Sequence, residues 1–415
     1  MLKESYANYY FLTEGVSNFG GAQLLVLRRA KFLQKIGLNV KIIVLRHRGE
    51  FILENQFNNI PILYLQELEN PFLFYSKKHK QNLLQTVHLF LKDTENSIFE
   101  SHSLQAAVWC EFFASVLKIK HIVYLLNEAK ANKYRYYPSK GFFYFKYNRG
   151  ELFGASDQSL ERIFQKSISG FRNQYINVSF DPNELLEKTE PTIEKLELIR
   201  NSKTILTVSR LEKKYVEDLI KACLKFAKSY PEQNINLIIA GGTIHKDIED
   251  KLKNDFLPPK TYLPNLKIHF IGYISTLGKD IFKLAEVFVG MGTASINSIS
   301  QGCVTLNIDP KMNMTSGIFG VDTNNFAYSS NDKVYKIEDK IFAVLNDSKL
   351  HNEAKLQGKK LFETKFTNKA SFDKLEFLLQ KSDSNLTYFY FKNNLFIRIF
   401  DLFIIYIRHL KNKIL

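Results

Sequence analysis

Cysteine, tryptophan and long apolar runs are all scarce in this sequence of 415 residues. The three cysteines, Cys110, Cys223 and Cys303, lie far apart and form no CxxC pair, so a disulfide framework or a structural zinc site is not expected and a reducing compartment fits. No run of 18 or more uncharged apolar residues occurs, which excludes a predicted spanning helix. The first residues, MLKESYANYYFLTEG, lack the apolar region of a secretory signal.

Acidic residues are also few beside the basic ones, and the formal net charge is +15. Such a surplus favours phosphate-bearing ligands, anionic membranes or nucleic acid without choosing among them. A hydrophobic share of 45% and a charged share of 24% are ordinary for a folded protein and exclude a disordered chain, a collagen and a coiled coil. The length predicts two domains of roughly 150–200 residues each.

Short apolar runs alternate with amphipathic stretches throughout the chain. Between the first two runs, GAQLLVLRRAKFLQKIG carries a helical apolar stripe that Gly37 ends. Strand, helix and strand joined by short links indicate right-handed βαβ units and parallel sheets. The runs predicted as buried strands are residues 9–12, 40–45, 62–65, 97–99, 121–126, 204–208, 236–240, 267–271, 287–290 and 304–308.

Composition changes mark the predicted domains. A polar stretch at residues 181–203 separates the two alternating series. We expect an N-terminal doubly wound α/β domain at 1–190, a second doubly wound α/β domain at 191–369, and C-terminal helices at 370–415 that return to the first domain, to a membrane surface, or to both. Residues 128–150 are basic, aromatic and without clean periodicity, and they are predicted to be a long surface loop, with a mobile segment facing the acceptor as the alternative.

The C-terminal tail combines aromatic, aliphatic and cationic residues. From residue 384 onward there are five basic residues and one acidic residue, in a block too short and too charged to span a bilayer. One interpretation is an interfacial helix on an anionic bilayer, where apolar burial and cationic attraction act together. The other is a final helix that packs onto a neighbouring domain.

The loops that follow the predicted strands carry the chemistry, because open α/β sheets bind ligands at the carboxyl ends of their strands. Gly20 and Gly21 follow the first strand and open a helix, whose free N–H groups favour an anion. Arg210 and Lys214 follow the first strand of the second half, where two cations can hold a diphosphate. Gly242 lies in a second loop after a predicted strand, where glycine lets a ligand approach the backbone closely.

The segment GMGTASINSISQG follows another strand and contains Thr293, Ala294 and Ser295 at a predicted helix start. Their hydroxyl and backbone N–H groups can face phosphate oxygens. Plain N-capping of the helix by Thr293 or Ser295 is the alternative.

These pieces resemble a known family. TILTVSRLEKKYVEDLIKA, NLIIAGG, KIHFIGYIS and LAEVFVGMGTASINSISQGCVTLNID occur in the order of the GT-B nucleotide-sugar glycosyltransferases. NFGGAQLLVLRRAKFLQKIGLNVKIIV, ESHSLQAAVW and YINVSFD resemble that family's glycine-glycine opening, strand-end histidine segment and hinge-proximal asparagine segment. The likeness covers most of residues 9–310 and is greatest to the large retaining group that builds bacterial surface polysaccharides. It implies an α/β fold of two doubly wound Rossmann-like domains facing across a cleft, with a C-terminal amphipathic helical tail. By the same resemblance, the domain at 1–190 is expected to lie on the acceptor side and the domain at 191–369 to bind the nucleotide sugar.

The resemblance also implies roles for particular residues. Arg210 and Lys214 match the cation pair that neutralises the donor diphosphate as the glycosidic bond breaks, so neither a metal nor another cofactor is expected. Tyr273 falls where the family's backbone meets the nucleotide base. The other donor-binding positions are Gly20, Gly21, Gly242, Thr293, Ala294 and Ser295.

Several positions depart from the family pattern. The family has two Glu residues eight apart; the second falls on Asn297, which can bond a ribose hydroxyl without charge, and the first has no counterpart. Arg210 and Lys214 are one residue closer than in the commonest form. Asn127 stands where many relatives carry a sugar-facing His, and His102 is a candidate sugar or acceptor contact, with a purely structural role as its alternative.

We therefore expect a glycosyltransferase that moves a sugar from a nucleotide-sugar donor to a lipid-linked or growing surface glycan, such as capsule or lipopolysaccharide. Retention of configuration is implied by the resemblance alone. The predicted location is the cytoplasmic face of the membrane, held peripherally through the tail. A non-catalytic nucleotide- or glycan-binding GT-B module and a sugar-nucleotide epimerase of the same fold remain alternatives. Nucleic acid is not an expected partner, because no stacking-aromatic or helix-turn-helix signature accompanies the charge.

Overall fold

The computed structural model describes residues 5–16, 21–45, 57, 59–70, 72–125, 139–155, 160, 163–164, 174–189, 196–243, 246–258, 262–274, 277–309, 314–325 and 333–391. The chain divides into two compact units. The first unit contains Met1–Asn177 and Phe372–Leu415, and the second contains Val178–Ser371. The chain thus enters the second unit before the polar stretch at 181–203 and returns to the first unit at its C-terminal end.

The first unit is built on a six-stranded sheet flanked by helices. Its strands are β1 (Asn8–Thr13), β2 (Asn39–Val44), β3 (Ile62–Tyr64), β4 (Ser97–Ser101), β5 (Lys120–Leu125) and β6 (Leu152–Gly154). Its helices include α1 (Gly21–Lys35), α2 (Lys77–Leu91), α3 (Leu104–Leu117) and α4 (Ser139–Asn148), with 3₁₀ turns at Gln66–Glu69 and Phe72–Phe74.

The strands of this sheet run parallel in the order β3-β2-β1-β4-β5-β6. All residues of β1 are buried, because helices cover both faces of a parallel sheet and an apolar run is needed there. After β1 the chain adds strands on one side of it, and from β4 onward on the other side. The point between β1 and β4 is therefore a topological switch point, where such sheets bind ligands beyond the carboxyl ends of the strands.

The second unit repeats this plan. Its strands are β7 (Lys203–Val208), β8 (Ile235–Ala240), β9 (Leu266–Gly272), β10 (Val287–Gly290), β11 (Val304–Asp309) and β12 (Met314–Ile318). Its helices are α5 (Lys214–Ser229), α6 (Lys246–Phe256), α7 (Lys279–Leu284), α8 (Thr293–Ser300), α9 (Ile337–Asn346) and α10 (Ser348–Lys365), with a 3₁₀ turn at Pro182–Glu184, and α11 (Asn368–Lys381) follows across the boundary between the units.

The sheet of the second unit has the order β12-β11-β10-β7-β8-β9. Its strands are parallel except β12, which pairs antiparallel with β11. The switch point lies between β7 and β10. The sequence expectation of an α/β fold with two doubly wound Rossmann-like domains is confirmed.

Each unit has its own apolar core. In the second unit, α5 buries the face that carries Leu219, Ile220, Cys223 and Phe226, as the periodicity predicts. All three cysteines are free and buried, which agrees with a core role for Cys223. Ten predicted strands match observed ones; β6 and β12 were not predicted, because β6 has only three residues and β12 is interrupted by Gly317.

The prediction of a surface loop over residues 128–150 is wrong for its later part. Residues 139–148 form α4, whose Phe142 and Phe143 are buried in the core of the first unit. Lys146 is also buried, and its Nζ atom lies 2.7 Å from Glu111 and 3.0 Å from Glu151. Glu111, on a different helix, supplies a charge partner that makes burial of Lys146 possible and that a local sequence pattern cannot show.

After α11 the described residues 382–391 are non-helical and pack along the first unit. Phe389 and Phe391 contact the ring of Phe142, and Arg149 forms a 2.8 Å salt bridge with Asp383. The predicted interfacial helix lies mostly at residues 392–415, outside the described residues. Among the helices that the structure describes, none is both long and apolar enough to cross a membrane.

Candidate functional site

The predicted donor-binding residues of the second unit gather at one edge of its sheet. Arg210 follows β7, Gly242 follows β8, Tyr273 follows β9, and Thr293 begins the helix after β10. Because these four strands are parallel, their carboxyl ends share that edge. The order of the strands also places the loop of Arg210 next to the start of α8.

The loops at this edge are fixed by close backbone contacts. Gly241 has φ +148°, and a Cβ atom there would lie 1.8 Å from the Ser209 carbonyl oxygen, so only glycine fits. Its N–H donates to the Gly272 carbonyl at 2.7 Å. An added Cβ on Gly242 would stand 3.2 Å from the Cβ atom of Tyr273, so these two predicted donor residues lie side by side.

The N-terminus of α8 is suited to an anion. Gly292 precedes the helix with φ +67°, and within the described ranges no side chain caps the helix start. The first-turn N–H groups, which include those of Thr293 and Ala294, carry the positive end of the helix dipole. An uncapped helix N-terminus at a switch point is a ready site for phosphate.

Ser295 contributes differently from the prediction. Its side chain is buried, and its hydroxyl donates to Asn307 Oδ1 at 3.2 Å. Asn307 in turn donates from Nδ2 to the Asn325 carbonyl at 2.7 Å. The hydroxyl of Ser295 therefore holds the helix start against β11, and its backbone N–H is the group left for a ligand.

Asn297 is buried in α8 with only 8% of its surface exposed. Its Oδ1 atom meets no hydrogen-bond partner within the described ranges. A buried amide oxygen without a partner costs about 1–3 kcal/mol, so a ligand hydroxyl that donates to it would be stabilised.

Arg210 and Lys214 lie exposed at the start of α5. The N–H of Lys213 donates to the Arg210 carbonyl at 3.2 Å, which fixes the turn that carries both cations. Burial raises the pKa of Asp218, and the positive charge of Lys214 one helical turn away opposes this shift. Arg210 and Lys214 thus bring two positive charges to the N-terminal end of α5, whose first turn also carries Glu217.

The switch point of the first unit holds a buried polar cluster around Glu100. His102 follows β4, and its Nε2 atom lies 2.7 Å from Glu100 Oε1. Arg29 Nη2 lies 2.5 Å from Glu100 Oε2, and the Tyr9 hydroxyl donates to the same oxygen. Burial alone raises the pKa of Glu100, but Arg29 and the hydrogen bonds from His102 and Tyr9 outweigh it and lower the pKa to about 2.

The sequence analysis did not find Glu100, Arg29 and Tyr9, which complete this cluster. The available signals were a Glu directly after the predicted strand at residues 97–99 and an Arg on the apolar stripe of α1. Gly21 is the first residue of α1, the helix that also carries Arg29. Gly20 and Asn127 lie outside the described residues.

A second buried network lies on the other face of β4. Ser101 Oγ is 2.8 Å from His121 Nε2, and His121 Nδ1 is 2.6 Å from Glu111 Oε2. This connectivity resembles that of a serine hydrolase triad. The Ser101 hydroxyl is buried and already bonded to His121, however, and His121 is bonded in turn to Glu111, so the network is satisfied within the protein and is structural.

Other potential sites lie away from these edges. Among the described residues, no group of three or more His, Cys, Asp or Glu side chains is placed to hold a metal ion. A cavity of about 350 Å³ lined by Lys203 and His351 lies at the amino end of β7. An apolar cavity of about 310 Å³ is lined by Phe256, Leu263 and Leu266, at the start of β9. Neither cavity contains a predicted donor-binding residue.

Comparison with known proteins identifies the fold. Residues 188–361 match the family described as glycosyl transferases group 1. The HepE protein of Anabaena, solved in complex with UDP, is 16% identical with a TM-score of 0.64, covering 90% of this chain and 100% of that chain. A glycosyltransferase from Rickettsia africae is 16% identical with a TM-score of 0.60, over 90% of this chain and 99% of that one.

The lipopolysaccharide outer core galactosyltransferase WaaB is 12% identical with a TM-score of 0.56, over 90% of this chain and 99% of that chain. No curated protein matches the sequence. These likenesses, with the two doubly wound sheets, confirm the GT-B fold that the sequence resemblance implies.

Proposed function

We propose that this GT-B protein, whose residues 188–361 match the glycosyl transferases group 1 family, transfers a sugar from a nucleotide-sugar donor. One observation carries the proposal. The uncapped N-terminus of α8 lies at the switch point of the second unit, next to the loop that presents Arg210. This edge therefore offers backbone N–H groups and a guanidinium to the diphosphate of a donor.

The charge at this edge suits the bond-breaking step. When the glycosidic bond to the nucleotide breaks, negative charge grows on the leaving diphosphate. Cations and N–H groups that are already in place stabilise that charge more in the transition state than in the ground state. We assign this role to Arg210, Lys214 and the first turn of α8, and we expect the step to proceed without a metal ion.

The donor is proposed to be a UDP-sugar, because the Anabaena protein of the same fold was solved with UDP and with UDP-glucose. In this assignment the Asn297 Oδ1 atom accepts a hydrogen bond from a ribose hydroxyl. The backbone of Tyr273, which lies beside Gly242, contacts the nucleotide base. The amide of Asn297 carries no charge, so its bond to ribose is weaker than that of a carboxylate.

The acceptor is proposed to be a lipid-linked or growing surface glycan, with retention of configuration at the transferred sugar. The sequence of residues 384–415 supports a location at the cytoplasmic face of a membrane, because it joins apolar residues with five basic ones. This assignment rests on composition and on the family resemblance.

A non-catalytic module is the second candidate function. It is favoured by Asn297 at the position of the family's second Glu and by the lack of a counterpart to the first Glu in the sequence. Such a protein would bind a nucleotide sugar at the same edge without turning it over.

The two candidates are separated by incubating the purified full-length chain with UDP-, GDP-, ADP- and dTDP-sugars, with and without a lipid-linked glycan acceptor. Sustained release of nucleoside diphosphate and a lengthened glycan support the transferase, and unchanged rates in EDTA support metal independence. Binding without turnover supports the module. Conversion of the donor into an epimeric sugar nucleotide, without net release of nucleoside diphosphate, would instead indicate epimerase chemistry.

A further inference from the structure

Glu100 is a fully buried carboxylate at the carboxyl end of β4. Three donors surround it: the hydroxyl of Tyr9, the guanidinium of Arg29 and the ring of His102. Arg29 neutralises its charge and also lies 5.2 Å from the centre of the Tyr124 ring. A buried charge is retained only when it is paired and hydrogen-bonded, and Glu100 meets both conditions.

The two ring nitrogens of His102 have different surroundings. Nε2 lies 2.7 Å from Glu100 Oε1, whereas the buried Nδ1 atom meets no hydrogen-bond partner among the described residues. The ring itself is held between Phe11, at 5.7 Å between ring centres, and Tyr124, at 6.3 Å. A carboxylate only accepts hydrogen bonds, so the Nε2 atom must carry a proton, and in the neutral ring Nδ1 then keeps its lone pair.

The position of this lone pair matters. His102 directly follows β4, which pairs with β1 at the switch point where ligands of such sheets bind. An unpaired buried acceptor costs about 1–3 kcal/mol, and a donor brought by a ligand removes that cost. A hydroxyl group is the simplest donor of matching size and charge.

We propose that Glu100 is a positioning residue that holds His102 with its proton on Nε2, so that Nδ1 accepts a hydrogen bond from a sugar hydroxyl. The identity of the ligand as a sugar rests on the proposed function. The tautomer of His102 does not, because it follows from the contacts of Glu100 alone.

The tautomer is tested on the full-length protein labelled with ¹⁵N at histidine, by long-range ¹H–¹⁵N spectra of the ring nitrogens at pH 8. The sequence has nine histidines, and His102→Gln identifies the signals of His102 by their loss. We expect the proton on Nε2, and a change at Nδ1 when UDP-glucose is added. A proton on Nδ1 would overturn the positioning role. A resonance that UDP-glucose leaves unmoved while calorimetry shows it binding would overturn the contact with sugar.

A matched pair of substitutions separates the two nitrogens. The Gln amide of His102→Gln reaches the place of Nε2 and can donate to Glu100, whereas the Asn amide of His102→Asn reaches the place of Nδ1. We expect His102→Gln to keep the wild-type Tm but to lower kcat/KM with UDP-glucose about tenfold, the effect of one lost hydrogen bond. Wild-type kinetics in a folded His102→Gln protein would show that the ring is only structural.

A second variant tests Glu100 itself. Glu100→Gln alone leaves Arg29 unpaired, so the double variant Glu100→Gln/Arg29→Met replaces the buried pair with neutral groups of similar size. A Gln amide can both donate and accept, so we expect His102 to show both tautomers and kcat/KM to fall. A single Nε2–H tautomer in the folded double variant would contradict the role of Glu100. If the wild type turns over no nucleotide sugar, the proposed function fails, and the spectra still decide the tautomer.

Discussion

Arg210 lies exposed where β7 ends, next to the start of α8. If it stabilises the leaving diphosphate, Arg210→Ala removes one preorganised charge contact from the transition state. We expect kcat/KM for the best nucleotide-sugar donor to fall by roughly two to three orders of magnitude. Steady-state release of nucleoside diphosphate measures the effect, and an unchanged Tm shows that the fold is intact.

Arg200 offers a matched control at the opposite end of the same strand. It is an exposed arginine just before β7, so Arg200→Ala makes the same chemical change far from the proposed site. Its kinetics should stay within about twofold of the wild type, since isolated surface charges contribute little. Equal losses in both variants would reduce the role of Arg210 to net charge.

Side-chain partners at the residue scale were only partly predictable. From their positions after predicted strands, the sequence indicated that Ser295 donates a hydrogen bond to phosphate and that His102 is a candidate sugar contact. It could not show that the hydroxyl of Ser295 donates to Asn307, or that Glu100 holds one nitrogen of His102. Ser295 meets Asn307 only when α8 packs against β11. Glu100 and His102 are near in sequence, but Glu100 stays buried and charged only beside Arg29 and Tyr9, which folding brings from distant positions.

At the scale of elements, the N-terminus of α8 allows a test in which stability and binding change in opposite directions. Thr293→Asp places a negative charge in the first turn, which stabilises a helix by about 0.3–1 kcal/mol. The same charge repels a diphosphate. We expect a slightly raised Tm and UDP binding weakened about tenfold or more, measured by calorimetry.

Ser348 provides the control for this change. It is the first residue of α10 and is exposed, so Ser348→Asp makes a similar helix-start change away from the proposed site. Its affinity for UDP should match the wild type. Undiminished UDP binding by Thr293→Asp would remove α8 from the phosphate site.

The network that joins α3, β5 and α4 predicts a pH-dependent stability. Burial, together with the charge of Lys146, lowers the pKa of His121 to about 4 despite its bond to Glu111. The unfolded chain has a histidine pKa of about 6.5 and binds a proton first, so stability is complete above that pH and is lost as the pH falls towards 4. The loss is at most about 3 kcal/mol.

Urea unfolding at pH 7 and pH 5 measures this effect. His121→Gln keeps an amide beside Ser101 and does not titrate, so its unfolding free energy should change less between the two pH values. An equal change in both proteins would show that other groups cause it. Below about pH 4 the carboxylates of Glu100 and Glu111, whose pKa values are lowered to about 2, add a separate loss.

At the scale of the whole molecule, we propose different roles for two parts of the C-terminal segment. Phe389 and Phe391 pack into the first unit, so a truncation that removes them would destabilise the fold. Deletion of residues 392–415 spares this packing and removes five basic residues. If the tail binds anionic lipid, affinity for phosphatidylserine vesicles should fall about a hundredfold or more, at roughly 1 kcal/mol per cation near the surface.

Vesicle sedimentation tests this prediction, with neutral phosphatidylcholine vesicles as the control. The deletion variant should keep its Tm and its rate on a water-soluble acceptor analogue. Full binding to anionic vesicles after the deletion would place any membrane contact elsewhere in the chain.

The sequence by itself determined the α/β class, ten of the strands and the loops at their carboxyl ends. Parallel strands buried on both faces require apolar runs, and these runs are visible in one dimension. Only the tertiary structure decided that β4 lies beside β1 and β10 beside β7, which defines the two switch points. It also decided that Lys146 and Glu100 are buried, because each charge is stabilised by partners that folding brings from distant parts of the chain.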